Sequence, residues 1–243
     1  MKPLSNKLNG IPASMTLAVN DKAKAMQRAG LDVIALAGGD PDFDTPAHIV
    51  EAAVSAIQNG HTHYPAPMVG LPQTVEAIAH KMRTENNIPI DDPRRQIIVT
   101  PGGKWGLYLA LAAITNPGDE ILILEPYWVS YPSMVTLTGG TPVPVSLPSE
   151  DNFRITADRL RAKLTPRTKA IMVNNPCNPT GRVLTLAERD AIVEVAQEAD
   201  LYVIADEIYE KLVFDGRSHL SSPPPPAWPS APSRSTASPN RMP

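Results

Sequence analysis

The feature that most limits what this chain can fold into is a repeated alternation. A short, unbroken apolar run is followed by a cluster of turn formers, then by a stretch with apolar residues at helical spacing. The apolar runs lie at 97–99, 121–124, 141–145, 170–173 and 201–205. Because they are apolar at consecutive positions, they suit strands covered on both faces, as in a parallel sheet between helices. The helical stretches are equally well marked. Thr45 and Pro46 read as an N-cap and first helical residue, and Ile49, Val50, Ala53, Val54 and Ile57 carry the pattern to Gly60, a C′ glycine. Further helices are expected over 71–86, 104–114 and 127–137, and over 186–199 behind a capping box made by Thr185 and Glu188. Strands alternating with amphipathic helices predict an α/β fold with a mostly parallel sheet.

Composition narrows the function classes. The chain has 243 residues, 22 basic and 25 acidic side chains, a net charge of −3, and 42% hydrophobic residues. That is a globular composition, and its charge gives no electrostatic case for binding nucleic acid or an anionic membrane. Cys177 is the one cysteine, so no intrachain disulfide forms, which suits a reducing compartment. The longest apolar run, 107–114, is too short to cross a bilayer, and Lys2 and Lys7 lead into no apolar signal segment. A cytoplasmic enzyme is the expectation. Of 27 prolines, eight fall at 223–226, 229, 232, 239 and 243, in a stretch without an acidic residue. Such a tail is expected to be polyproline-like or disordered, and its abrupt onset near His219 suggests a shifted reading frame or truncated gene.

In a parallel α/β sheet, ligands bind beyond the carboxyl ends of the strands, so the residues just after each run are the ones to weigh. Gly102, Gly103 and Lys104 follow the first run and open a helix, where free N–H groups attract an anion such as phosphate; an ordinary glycine turn would read the same. Trp128, after the second run, offers a face for a planar cofactor or simply packs in the core. The loop 174–181, Asn-Asn-Pro-Cys-Asn-Pro-Thr-Gly, is rich in turn formers, with X-Pro bonds that are candidates for the cis form. Its Asn178 can serve a ligand or satisfy the loop's own backbone. Asp206, ending the last run, can hold a proton on a heterocyclic nitrogen or cap the next segment, with Tyr209 within reach. His61 and His63 alternate without a third ligand at metal spacing and read as loop residues.

Phosphate site, ring face, phenolic-oxygen partners and a carboxylate for a ring nitrogen together describe pyridoxal 5′-phosphate. The blocks GGDPDFDTP (38–46), YPAPMVGLP (64–72), VTPGGK (99–104), NPGDEILILEPYWVSYPSMV (116–135), NNPCNPTG (174–181) and ADEIYEKLVF (205–214) resemble class I/II aminotransferases of fold type I, the aspartate aminotransferase-like group. The resemblance implies the large domain of that fold, three-layered α/β/α and incomplete at its C-terminus. It implies an N-terminal arm with part of a small domain over 1–45, a partial cofactor-binding domain over 46–218, and an extraneous tail over 219–243.

The resemblance further implies that backbone N–H groups of Gly102, Gly103 and Lys104 cup the phosphate and that Trp128 stacks on the ring. Asn178 and Tyr209 would bond the ring's 3′ oxygen, and Asp206 would pair with the ring nitrogen. Tyr64 would reach the partner subunit's phosphate in a homodimer, and Gly39 would line the substrate carboxylate pocket. The implied reaction moves an amino group from an amino acid, aspartate-like, to a 2-oxo acid; a C–S lyase of the same fold is the near alternative. The Schiff-base lysine and two arginines of the group have no counterpart, since no lysine follows Lys211 and Arg217, Arg234 and Arg241 match no motif. The isolated chain is therefore expected to be inactive and marginally stable, or a non-catalytic remnant that binds a full-length subunit. In the implied topology two further strands lie between the first run and the strand ending at Val173, leaving residues 97–99 without a neighbour.

Overall fold

In a computed structural model, the chain is described at residues 5, 8, 11, 15–36, 38–39 and 43–221. The proline-rich tail beyond 221 lies outside the described residues. Four helices come first: α1 (Met15–Arg28), α2 (Ala47–Gln58), α3 (Pro72–Thr84) and the short α4 (Pro93–Gln96). Then follow α5 (Gly103–Ile114), β1 (Glu120–Glu125), α6 (Ser130–Leu137), β2 (Thr141–Ser146), α7 (Ala157–Arg161), β3 (Thr168–Asn174), α8 (Leu186–Glu198) and β4 (Tyr202–Asp206).

The four strands form one sheet in the order β2-β1-β3-β4, and every pairing is parallel. Side-chain alternation divides its core in two. Ile121, Ile123, Ala170 and Met172 pack with Leu111 of α5 and with Tyr131, Met134 and Val135 of α6. Leu122, Ile171 and Val173 point to the opposite face and meet Leu160 of α7 and Ile192, Val195 and Ala196 of α8. Helices thus cover both faces, the three-layer arrangement that the unbroken apolar runs require. A third cluster, Val75, Ala79, Ile90 and Ile97, ties α3 to the segment entering α5.

The expected strand at 97–99 is corrected. The segment is extended, with Ile97 at φ −126°, ψ 134° and the Val99 N–H donating to Val69 O at 2.8 Å, but it joins no ladder. Ile98 is 68% exposed, because no described strand lies beside it. β3 has β1 on one side and β4 on the other, so any further strand between β3 and residues 97–99 would lie beyond β4. Among the described residues the open ladder edges belong to β2 and β4.

Helix ends moved slightly from expectation. Pro46, not Thr45, is the N-cap of α2. Gly60 takes φ +79° as foreseen, its N–H bonding Ile57 O while His61 N–H reaches Ala56 O, a Schellman closure. Yet α2 buries none of its residues, and Ile57 is 65% exposed. The helix expected from 127 begins at Ser130, leaving 127–129 as the turn out of β1. The helices α1, α4 and α7 were not read from the sequence.

The capping box of α8 is present with both of its bonds. Buried Glu188 also accepts from Ile155 N–H at 3.0 Å and from Arg182 Nη2 at 2.8 Å. Burial pushes the Glu188 carboxyl up, but the N–H donors, Arg182 and the Thr185 hydroxyl outweigh it and hold the pKa below its ordinary 4.5. A carboxyl depressed on folding stabilises the fold fully above its unfolded pKa and loses that contribution as pH falls through the folded value. We therefore expect the urea midpoint of the chain to be level above about pH 5.5 and to fall as pH drops below about 4.5, with Glu188→Gln flattening the fall. An acid limb unchanged in Glu188→Gln would contradict this assignment.

Candidate active site

Parallel strands put all their carboxyl ends at one edge, and there the loops after β1, β3 and β4 meet the N-terminus of α5. They enclose a cleft of ≈ 180 Å³ lined by Gly103, Lys104, Leu107, Trp128, Tyr131, Asn174, Asn178, Asp206, Ile208 and Tyr209. Gly102 is the N-cap of α5 at φ +90°, ψ 157°, a conformation that L side chains rarely adopt. No side chain caps that helix, and the N–H groups of a first helical turn have no intrahelical acceptor, an arrangement suited to an anion.

Trp128 is held edge-on to Tyr131, with ring centroids 5.5 Å apart and planes at 88°. Lys104 Nζ stands over the indole, 4.6 Å from its centroid. Asn178 Nδ2 donates to the Tyr209 hydroxyl at 3.3 Å, joining the β3 and β4 loops across the cleft. Asp206 is fixed at both oxygens: Oδ2 accepts from the Tyr131 hydroxyl at 2.7 Å and Oδ1 from Ile208 N–H at 3.2 Å. The carboxylate thus caps its own turn, as one of the two sequence readings has it, and it also lines the cleft. Burial first, then the charge of Asp206 and the bond to it, push the Tyr131 phenol far above its ordinary pKa, so it stays a donor.

The loop after β3 is built by asparagines. Asn174 Oδ1 accepts from Asn178 N–H at 2.6 Å, while its Nδ2 donates to Asp206 O at 2.9 Å. Asn175 Oδ1 accepts from Leu184 N–H at 2.9 Å. Backbone satisfaction, the alternative weighed for Asn178, therefore falls to Asn174 and Asn175. The Asn175–Pro176 and Asn178–Pro179 bonds are both cis.

Residues 31–230 match the family of aminotransferases of class I and II. The chain belongs to that family. It is 45% identical over 221 residues to an aspartate/prephenate aminotransferase of Thermus thermophilus, an alignment covering 91% of this chain and 56% of the relative. An aspartate aminotransferase of Bacillus subtilis is 44% identical over 218 residues, covering 90% and 55%. Among solved structures, Thermus thermophilus aspartate aminotransferase with maleate superposes with a TM-score of 0.86 at 45% identity, covering 91% of this chain and 57% of that one. An aromatic aminotransferase from Pyrococcus horikoshii matches at TM-score 0.74 and 42% identity, covering 82% and 53%. The chain thus spans little more than half the length of the relatives it matches.

Of the residues singled out in the sequence of this aminotransferase-family chain, Gly103, Lys104, Trp128, Asn178, Asp206 and Tyr209 line the one cleft, with Gly102 beside them at the N-cap. Tyr64 does not line it; it is 90% exposed in the connection from α2 to α3. Gly39 is likewise not among the cleft residues. His61 and His63 lie in the same connection as Tyr64. Tyr131 was missed, because in sequence it reads as one more apolar position of a helix and its partner is 75 residues away. Glu207, Glu210 and His219 bring their ligating atoms within 4.8 Å of one another, but Lys81 pairs with Glu210 and so supplies a cation there. Among the described residues no helix is long and apolar enough to cross a membrane.

A hydrogen bond to an ionised carboxylate in a buried setting is worth about 1.5–3 kcal/mol. We expect Tyr131→Phe to lower the stability of the chain by about 1.5 kcal/mol in urea titrations. A loss under about 0.3 kcal/mol would show that the Tyr131–Asp206 bond contributes nothing net.

Proposed function

We propose that residues 46–218 form the cofactor-holding part of a pyridoxal 5′-phosphate-dependent aminotransferase. The whole protein moves an amino group from an aspartate-like amino acid to a 2-oxo acid. The observation that carries this reading is the convergence on one cleft of an uncapped helix N-terminus, an indole face, an amide–phenol pair and a carboxylate held by a phenol. This donor set fits the phosphate, the ring, the ring oxygen and the ring nitrogen of that cofactor in turn. When bound, pyridoxal phosphate supplies a protonated pyridine that withdraws electrons from the substrate's α-carbon.

The chain's own residues do the rest. Backbone N–H groups of Gly103 and Lys104 hold the phosphate, favoured by the positive end of the α5 dipole, whereas the Gly102 N–H, expected to join them, is taken by Thr100 O at 2.7 Å. Trp128 excludes water from one ring face. Asn178 and Tyr209 bond the ring oxygen, and Asp206 keeps the proton on the ring nitrogen while Tyr131 keeps Asp206 oriented. Tyr64, exposed and outside the cleft, reaches the phosphate of a partner subunit in a cytoplasmic homodimer, and Gly39 borders the substrate carboxylate.

A second reading has its own observation. Among the described residues Lys104 is the one lysine that lines the cleft, with its Nζ over the Trp128 indole, while Lys211 is bonded to Glu85 Oε2 outside it. The described residues hold the cofactor through hydrogen bonds and stacking, and such a portion can serve as a non-catalytic partner of an intact subunit.

Pyridoxamine 5′-phosphate tests the site without requiring a Schiff base. Equilibrium dialysis is expected to show one saturable site per chain, weakened about thirtyfold in Asp206→Ala, equivalent to about 2 kcal/mol for a charge-assisted bond. Unsaturable binding, or equal affinity in Asp206→Ala, would overturn the assignment.

A further inference from the structure

Arg182 lies eight residues past Asn174, outside the cleft, yet it is among the most tightly engaged side chains of the loop. Its Nη1 donates to Phe153 O at 2.7 Å, and its Nη2 donates to Glu188 Oε1 at 2.8 Å. Both the arginine and Glu188 side chains are largely buried, at 16% and 3% exposure. Glu188 is itself immobilised by the capping box of α8 and by Ile155 N–H. The guanidinium therefore bridges two elements packed on the far face of the sheet, the segment before α7 and the first turn of α8.

The backbone of the same residue controls the loop. Arg182 O accepts the Cys177 N–H at 2.8 Å, and Cys177 O accepts the Gly181 N–H at 2.7 Å. Those two bonds close the turn 177–182, and Asn178 is its second residue. On its other side Asn178 is held through its N–H by Asn174 Oδ1. The position of the Asn178 amide, and so its reach to Tyr209, depends on where Arg182 is anchored.

We propose that Arg182, through its bridge to Glu188 and Phe153 O, is a positioning residue that sets the Asn178 amide against the ring oxygen of the cofactor. The inference rests on the cofactor reading above and goes beyond it, since Arg182 touches neither ligand nor cleft. A planar fork suits this role because it serves two acceptors at once, which a lysine cannot do from one ammonium position. Arg182→Met leaves Glu188 its N–H and hydroxyl donors from Ile155 and Thr185, so the capping box stays satisfied.

The test compares pyridoxamine 5′-phosphate with its analogue lacking the 3-hydroxyl, by equilibrium dialysis under conditions where urea titration shows each variant folded. If Arg182 acts through Asn178, Arg182→Met weakens the parent ligand about tenfold and the deoxy analogue less than about twofold. Arg182→Lys falls between, and in an Asn178→Ala background Arg182→Met adds no further loss. Equal weakening of both ligands, or no weakening of either, overturns the proposal. Should Arg182→Met not fold, Arg182→Lys carries the same comparison. Failure of the unsubstituted chain to bind either ligand contradicts the cofactor reading itself, and is thereby told apart from failure of the Arg182 role alone.

Discussion

Parallel pairing is the constraint on which the rest of the structure depends. With β2, β1, β3 and β4 all running in one direction, each strand must return through a connection that crosses a face of the sheet, and both faces must be covered. The same geometry delivers every strand end to one edge. Trp128 after β1, Asn178 after β3, and the pair Asp206 and Tyr209 at and after β4 come from three separate stretches of sequence and are brought together by topology. The α5 N-terminus is aimed at that edge because its apolar side, through Leu111, packs on the same layer as Ile121 and Ile123.

One column of hydrogen bonds then converts a shared edge into a defined site. Tyr131 is buried in the α5–α6 layer and ends on Asp206. Asp206 in turn supplies its backbone carbonyl to Asn174 Nδ2 and to Asn175 N–H. The aromatic layer, the β4 end and the β3 loop are locked to each other through a single aspartate. A carboxylate at the end of an apolar strand is costly unless it is paired, and here the pairing is also what orients it.

Much of this was legible in the sequence where the determining forces are local. The runs around 121–124, 141–145, 170–173 and 201–205 are strands because continuous apolar character leaves few other options, and Thr185 with Glu188 forms its box within one turn. What was not legible depended on distant chain. Residues 97–99 carry strand-like side chains but have no neighbouring strand among the described residues, and no local pattern can supply one. The α2 pattern is that of a helix with a face to bury, yet nothing in its own residues specifies what covers that face. Tyr131 and Arg182 escaped for the same reason: each looks ordinary in its own segment and acquires its place only through a partner from another element. The motif residues of the cleft were found because their types, taken together, match one ligand, whereas Tyr64 and Gly39, from the same motifs, do not line the described cleft.

The central claim is that Asp206 holds a proton on a ring nitrogen in this cleft. Ring-¹⁵N pyridoxamine 5′-phosphate bound to the chain, followed by ¹⁵N NMR across pH, tests it most directly. The account predicts a pyridinium shift that persists well above the pH at which the free ligand loses its proton, and that reverts toward free-ligand behaviour in Asp206→Ala. A bound nitrogen that titrates like the free ligand, or a persistence indifferent to Asp206, would contradict it.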